Sequence, residues 1–557
     1  MHEYLLVHHD NTPLVDEISN SIIFNPTAAQ INDYGIDAFI TREIIPQISN
    51  QQFDVICIRD TLSDNYVEFY GLILAMHIRL GRDRLKDKSL VPVIILSDTN
   101  ELVINRLSIL GRMLLTKNVI LCPNNVGAFR ELDKLQFSRF TDQEYRHGFL
   151  DLITILPPQD YLSHHSITNE WAIDKWATML NVDTPAIGKN REKISSLLYY
   201  KFLMSRYQVQ NVHSIKITKK TLSGRVLLIE DKWKDGWMDV VEKFLNTHFS
   251  DVELDVLTAV SATDEIETYQ KELTRKLTDQ NIPDVILLDL RLTQTDHDSL
   301  TDADRKAVDR KRINRLGGLV LLNLIRQVNP GIQVVLFTAS NDGLILDEIH
   351  DREVLGYVKK DSPADRYEAS LSSFKKLKKL IEKAVSRRYL KDIYQTEKRV
   401  LSQLNLHKIN EYTELSENVS AVFTILNSNL PQPFTFAMYT IFKCIELIND
   451  HFIDDRNNGA EKQAFWLENR KRANIQYVTT ENKINIILKE KLDLHDRGIH
   501  DEIRRLVCCR NNLIHPGKLS QRCKQDFIKR PEYQHIVEWF SMLADILKRL
   551  DSKLAGQ

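Results

Sequence analysis

Short apolar runs punctuate residues 1–365, and the residue that ends each run carries information. Val226-Leu-Leu-Ile229 leads into Glu230-Asp231, and Val285-Ile-Leu-Leu288 into Asp289. Val334-Val-Leu-Phe337 leads into Thr338, and Gly356-Tyr-Val-Lys359 into Lys360-Asp361. Short β-branched runs bounded by polar signals predict strands buried on both faces, as in a parallel sheet. These runs form the second of two sets; the first set lies upstream, at Tyr4–Val7, Phe53–Ile58, Val91–Leu96 and Val119–Cys122. Between the sets, Trp171–Trp176 and Leu197–Phe202 read as amphipathic helices that pack on one neighbour or the other. Beyond residue 366 the strand signals stop. Phe374, Leu377, Leu380, Ile381 and Ala384 recur at helical spacing, and further helices are expected at 396–427, 433–453, 461–491, 499–515 and 531–553. The pattern predicts an α/β plus all-α chain. Its units are 1–134, a helical connector at 135–220, a second α/β unit at 221–370, a linker helix at 371–400 and a helical bundle at 401–557.

In an open parallel sheet, residues just past the strand C-termini meet in one crevice. The second set of runs therefore brings together three acids, a hydroxyl and an amine, a set that suits a divalent cation and a phosphoryl group. These residues resemble those of a response-regulator receiver domain, the phospho-accepting partner in two-component signalling. The resemblance implies a flavodoxin-like, doubly wound (βα)5 fold. It makes Asp289 the phospho-acceptor, Glu230 and Asp231 the acid pair, and Thr338, Tyr357 and Lys360 the switch residues. It also implies Mg²⁺, with Asp231, Asp289 and the backbone carbonyl of Arg291 as oxygen ligands and Glu230 holding a coordinated water. The phosphoryl donor would be a histidine kinase or a phosphotransfer protein. Thr293–Arg315 replaces a short loop with an insertion rich in Asp and Lys/Arg, and a loop of that length is functional or a solvated excursion. The long interval from Asp231 to Asp289 reads as an extended second helix.

The first set of runs repeats the strands without the chemistry. His8-His9 stand in place of the acid pair, Arg59 in place of the acceptor, and no lysine follows Val119–Cys122. Asp60 is one residue late, and a slip of one turns a strand side chain to the other face. The resemblance here is to a degenerate pseudo-receiver that takes no phosphate and serves in partner binding or autoinhibition, or else persists as a structural relic. Adjacent strand residues face opposite ways, which argues against His8-His9 as a metal pair.

In the helical part, Ile503, Leu506, Val507 and Ile514 are spaced as one buried stripe, and Pro516-Gly517 should end that helix. The helix carries Arg510-Asn511-Asn-Leu-Ile-His515, a pattern similar to the HEPN family (higher eukaryotes and prokaryotes nucleotide-binding). The resemblance implies a metal-independent ribonuclease with Arg510, Asn511 and His515 as its catalytic set, needing no cofactor and assembled in a homodimer. Residues 501–530 hold eight Lys/Arg and three Asp/Glu, which suits contact with RNA. The HEPN resemblance also admits a non-catalytic module for dimerisation or nucleotide binding.

Composition narrows the class. Over 557 residues the chain is 43% hydrophobic and 27% charged with a net charge of −2, so any nucleic-acid contact is local. Its six cysteines show no metal spacing and no disulfide framework, and no run is long enough to span a membrane. A reducing cytoplasm is the expected setting. The leading expectation is a cytoplasmic response regulator whose phosphorylation controls an RNA-cleaving output, in the manner of antiviral defence systems. The alternative is a signalling scaffold whose helical domain binds a partner. A DNA-binding output ranks below both, because no basic recognition helix stands out.

Overall fold

The computed structural model describes the chain except residues 1, 10–11, 28–29, 31–34, 66–67, 133, 135, 138–139, 158–163, 208–217, 259–264, 279–281, 294–315, 340–353, 363–364, 366, 405–411, 429, 453–487, 490–494, 515–522, 524–527 and 555–557. The insertion lies outside the described residues from 294 onward, as does most of the helix expected at 461–491.

Among the described residues, ten strands form two five-stranded sheets. The first holds β1 (Tyr4–His8), β2 (Ser21–Ile23), β3 (Val55–Arg59), β4 (Val93–Leu96) and β5 (Val119–Cys122), in the order β2-β1-β3-β4-β5. The second holds β6 (Lys220–Ile229), β7 (Phe249–Val256), β8 (Val285–Leu288), β9 (Gln333–Thr338) and β10 (Gly356–Lys359), in the order β10-β9-β8-β6-β7. Read in each unit's own chain order, the two sheets follow one scheme, and every pairing is parallel. The central strands β3, β4, β8 and β9 are almost wholly buried, as their unbroken apolar runs require. The interval from Asp231 to Asp289 does not become an extended helix. It holds the helix Trp237–His248, the strand β7 and the 13-residue helix Ile266–Thr278. Some of its length goes into β7, which pairs along much of a ten-residue β6.

The connector packs on both neighbours. In the helix His164–Leu180, Ile167 and Trp171 join the core of the first unit. From the same helix, Ala172, Ile173, Trp176 and Met179 join the core of the second. The following helices, Pro185–Ser196 and Leu198–Tyr207, bring Leu198, Tyr200 and Phe202 back onto the first unit.

Residues 371–400 are not a single linker helix. The helix Tyr367–Ser386 covers the second sheet through Phe374, Leu377, Ile381 and Ala384, and the next helix, Tyr389–Leu404, belongs to the helical bundle. The expected 396–427 helix is likewise two, Tyr389–Leu404 and Tyr412–Asn427. The rings of Tyr394 and Phe423 lie 5.3 Å apart, whereas one continuous helix would separate them by about 40 Å. Pro433–Phe452, Arg497–Ile514 and Tyr533–Leu554 share the bundle core, centred on Met438, Ile441, Ile503, Leu506, Trp539 and Leu543. The joint to the second unit is tight. A Cβ on Gly331 would lie 2.4 Å from the Leu390 carbonyl carbon, and Lys391 Nζ reaches Asp284 Oδ1 at 2.5 Å.

Two expectations about the helix Arg497–Ile514 change. Ile503, Leu506 and Val507 are buried, but Ile514 is 41% exposed because it sits in the last turn, beyond the bundle core. Cys508 is joined to Cys523 by a disulfide, so cysteine usage does not argue for a reducing compartment. Spacing alone hid this pair, since the two cysteines lie 15 residues apart and meet only in the folded bundle. Among the described residues, no helix is long and apolar enough to cross a membrane.

Candidate functional site

The C-terminal ends of β6, β8, β9 and β10 converge, as open parallel sheets do. Glu230 and Asp231 follow β6, Asp289 follows β8, Thr338 ends β9 and Lys360 follows β10, and all five are buried. Glu230, Asp231 and Asp289 each offer a carboxylate oxygen, and the three oxygens lie within 4.8 Å of one another. Lys360 Nζ donates to Asp289 Oδ2 at 2.6 Å and to Glu230 Oε2 at 2.5 Å. Asp289 Oδ1 accepts the backbone N–H of Leu290 at 2.6 Å and that of Arg291 at 3.4 Å, which holds the carboxylate in place. The Lys360 N–H donates to the Thr338 carbonyl at 2.8 Å, locking the end of β10 to the end of β9. Tyr357 is half-buried on β10, with the Lys376 ammonium 5.5 Å from its ring centre.

Charge is crowded here. Burial drives the Glu230 carboxyl well above its usual range; Lys360 pulls it down, while Asp289 and Asp231 push it further up. Burial would lower Lys360, but Asp289 and Glu230 outweigh it and raise the amine. Burial, then Asp365 and Asp289, push the Tyr357 phenol up to about 12. Three buried carboxylates against one amine leave an excess of negative charge in a low-dielectric site, and an oxygen-only donor set fits a hard divalent cation. Glu230, Asp231 and Asp289 could hold one.

The first unit can be aligned to the second by an internal ruler. Gly318, at the start of the helix Gly317–Val328, donates its N–H to the Leu290 carbonyl at 3.0 Å, and a Cβ there would lie 2.2 Å from the Asp289 oxygen. Gly71 donates to the Asp60 carbonyl at 3.0 Å, and its Cβ would lie 1.9 Å from the Arg59 oxygen. Arg59 thus occupies the register of Asp289, and Asp60 that of Leu290. Strand pairing extends the match. Val7 pairs with Ile58 as Ile229 pairs with Leu288, which places His8 and His9 on Glu230 and Asp231. Leu96 pairs with Cys122 as Phe337 pairs with Val358, which places Ser97 on Thr338 and Asn124 on Lys360.

Each of these positions has a partner of its own. Arg59 reaches Asp98 at 3.4 Å, His9 Nδ1 lies 2.9 Å from the Phe24 carbonyl, and Thr12 donates to Asn124 at 2.8 Å. Asp60 is buried. One of its oxygens accepts the Ser97 hydroxyl and the other the Thr61 N–H at 2.8 Å.

Residues 10–122 match a family model described as the inactive receiver domain. The first unit is receiver-like. The match stops short of the connector and of both later units. No curated protein matches the chain. Among solved structures, a fusion carrying the yeast Spc42 trimeric coiled coil aligns at 17% identity over 37% of this chain and 98% of that one. Its TM-score of 0.19 carries no argument about fold.

In the helical bundle, Arg510 Nη1 donates to Asn511 Oδ1 at 3.0 Å, and the guanidinium sits 5.0 Å from the centre of the Phe442 ring. His515 lies outside the described residues. Sequence reasoning placed Trp176 in a helix but missed that Asn169, Lys175 and Trp176 of the connector hold Trp237, Asp365 and Asp361 beside the acid site. Their signal, two tryptophans on one short helix, reads equally well as ordinary core.

Proposed function

We propose that the second α/β unit is a flavodoxin-like receiver that accepts a phosphoryl group on Asp289 and thereby controls the helical bundle. The reading rests chiefly on the meeting of Asp289 with Glu230, Asp231 and Lys360 in one buried cluster. The donor would be a phosphohistidine on a kinase or phosphotransfer protein, or a small acyl phosphate. An Asp289 oxygen attacks phosphorus and an O–P bond forms. The P–N bond of phosphohistidine breaks, and its electron pair leaves with the imidazole, which takes up a proton; with an acyl phosphate the P–O bond breaks and its electron pair leaves with the carboxylate. Asp231, Asp289 and the Arg291 carbonyl would hold Mg²⁺, with Glu230 on one of its waters; the ion supplies positive charge that offsets repulsion between carboxylate and phosphoryl. Lys360 would turn from Asp289 Oδ2 to the phosphoryl oxygens, and Thr338 would hydrogen-bond them. Thr338 and Tyr357 would then move together as the switch. Such a protein acts in the cytoplasm, where kinases of this class place their phosphoryl groups.

The output we propose is RNA cleavage by the HEPN-like bundle as a homodimer, a response that suits antiviral defence. His515 would take or give the proton at the 2′ or leaving oxygen, Arg510 would stabilise the developing charge, and Asn511 would steady Arg510. The hydrogen bond between Arg510 and Asn511 supports that last role. A second reading makes the bundle a non-catalytic scaffold, favoured by the seating of Arg510 on Phe442, where it serves packing.

The deciding experiment treats the natural chain with acetyl phosphate and Mg²⁺, then measures its mass and its RNA cleavage in one sample. We expect one added phosphoryl group, absent in Asp289→Ala. Cleavage should rise with it and vanish in His515→Ala. Equal cleavage in all three proteins would leave the scaffold reading standing.

A further inference from the structure

The acid cluster does not stand on its own unit alone. The Lys360 ammonium lies 5.1 Å from the centre of the Trp237 ring and 5.3 Å from that of Phe337, so two aromatic faces form its floor. Both rings are held from outside the second unit. Trp237 Nε1 donates to Asn169 Oδ1 at 3.0 Å, and Asn169 belongs to the connector helix His164–Leu180. Trp176 of the same helix packs its ring 5.9 Å from Trp237 and 5.5 Å from Phe337. Its Nε1 donates at 2.7 Å to Asp361, the residue next to Lys360, and the neighbouring Lys175 donates to the Asp365 carbonyl at 2.8 Å. Gly236, just before Trp237, has φ +128°, and a Cβ there would lie 2.7 Å from Ile187 and 2.9 Å from Ile173, so the connector presses on backbone as well as on side chains.

We infer that Asn169 and Trp176 are positioning residues for Lys360, and that the acid site is fully assembled only while the connector helix is docked. The inference rests on the phospho-acceptor reading above and gives it a route of control. One turn back on the same helix, Trp171 stacks 6.3 Å from Tyr200 in the core of the receiver-like first unit. Glu170 beside it accepts from the Tyr200 hydroxyl and from Lys193 at 2.5 Å. One rigid helix thus carries the first unit on one face and the floor beneath Lys360 on the other. A partner that shifts the first unit would change how readily Asp289 takes phosphate, and phosphate on Asp289 would in turn change the hold on the first unit.

The test uses the full chain with acetyl phosphate over a range of Mg²⁺ concentrations, reading the rate of phosphoryl uptake by mass. Asn169→Ala removes the acceptor for Trp237. Trp176→Phe keeps an aromatic ring and removes the N–H to Asp361. Both should take up phosphate about tenfold more slowly at saturating Mg²⁺, with half-saturation within about twofold of the natural chain, because the acids that hold the cation are untouched. Trp171→Phe, on the opposite face, should match the natural rate. Natural rates in Trp176→Phe and in any folded Asn169→Ala overturn the inference, as does an equal loss in Trp171→Phe, which would mark a general packing defect. No uptake by the natural chain instead overturns the phospho-acceptor reading, and this inference with it.

Discussion

The two α/β units share a strand order, a set of parallel pairings and a glycine pressed onto the carbonyl that follows the third strand, yet only one gathers acids at its crevice. Arg59 and Asp289 sit in equivalent backbone positions. One meets an exposed aspartate on a neighbouring loop, and the other meets a buried lysine and two acids. The lesson is that buried apolar runs carry the fold, while a handful of residues at the strand ends carry the chemistry. Those residues can be lost without cost to the sheet, provided each replacement finds a partner. Asp60 with Ser97, and Asn124 with Thr12, show the replacements doing so.

The sharpest way to break the comparison is Asp289→Ala. Phosphoryl uptake should fall by at least a hundredfold, to background, because no group in the first unit can stand in; uptake that persists in a mass measurement would mean the units are not as different as their crevices suggest. Next come the paired glycines. Gly71→Ala and Gly318→Ala each drive a methyl into a carbonyl oxygen, at 1.9 Å and 2.2 Å, and each should cost about 3 kcal/mol in a urea titration, equally for both units. A large cost at one and none at the other would show that the shared docking is superficial.

Acid should then separate the units. Burial lowers His77 from 6.5 to about 4, with Lys201 adding to the effect and Asp37 opposing it. The unfolded chain therefore binds a proton that the folded chain refuses. Stability from this source is intact above pH 6.5 and is lost as pH falls toward 4, by roughly 2–3 kcal/mol. His77→Gln should flatten that part of the pH profile of the first unit. Smallest of all is Arg59→Asp. The Arg59–Asp98 pair is largely open to water on the Asp98 side, so stability should change by no more than about 1 kcal/mol, and the new aspartate should remain unphosphorylated because histidines and an asparagine stand where two acids and a lysine are needed. Uptake at residue 59, seen by peptide mass mapping, would show that one carboxylate suffices.

Much of this was legible beforehand, for identifiable reasons. Strands buried on both faces must be apolar without interruption, so β3, β4, β8 and β9 announced themselves, and the polar residues that ended the runs marked the crevice. The edge strand β2 was not legible, because a strand of three residues with only Ile22 buried has no periodicity to detect. Strand β7 hid for a related reason. It buries only Phe249, Val252 and Val256 among three acids and a serine, so the extra length of the interval was assigned to the second helix. In the bundle, the helical period was clear but the division into Tyr389–Leu404 and Tyr412–Asn427 was not, since both helices turn apolar faces to one core.

The order of apolar runs determined two α/β units and a helical end, and the polar residue that ends each run determined which side chains could reach a crevice, because both follow from local sequence along the strand. Three things were decided only by tertiary structure. The connector serves both units at once, Cys508 finds Cys523, and an asparagine and a tryptophan from outside the second unit hold the floor beneath Lys360. None of these has a local signature. A residue that packs on a distant segment obeys the same period and polarity as one that packs on its neighbour, and only the folded chain distinguishes them.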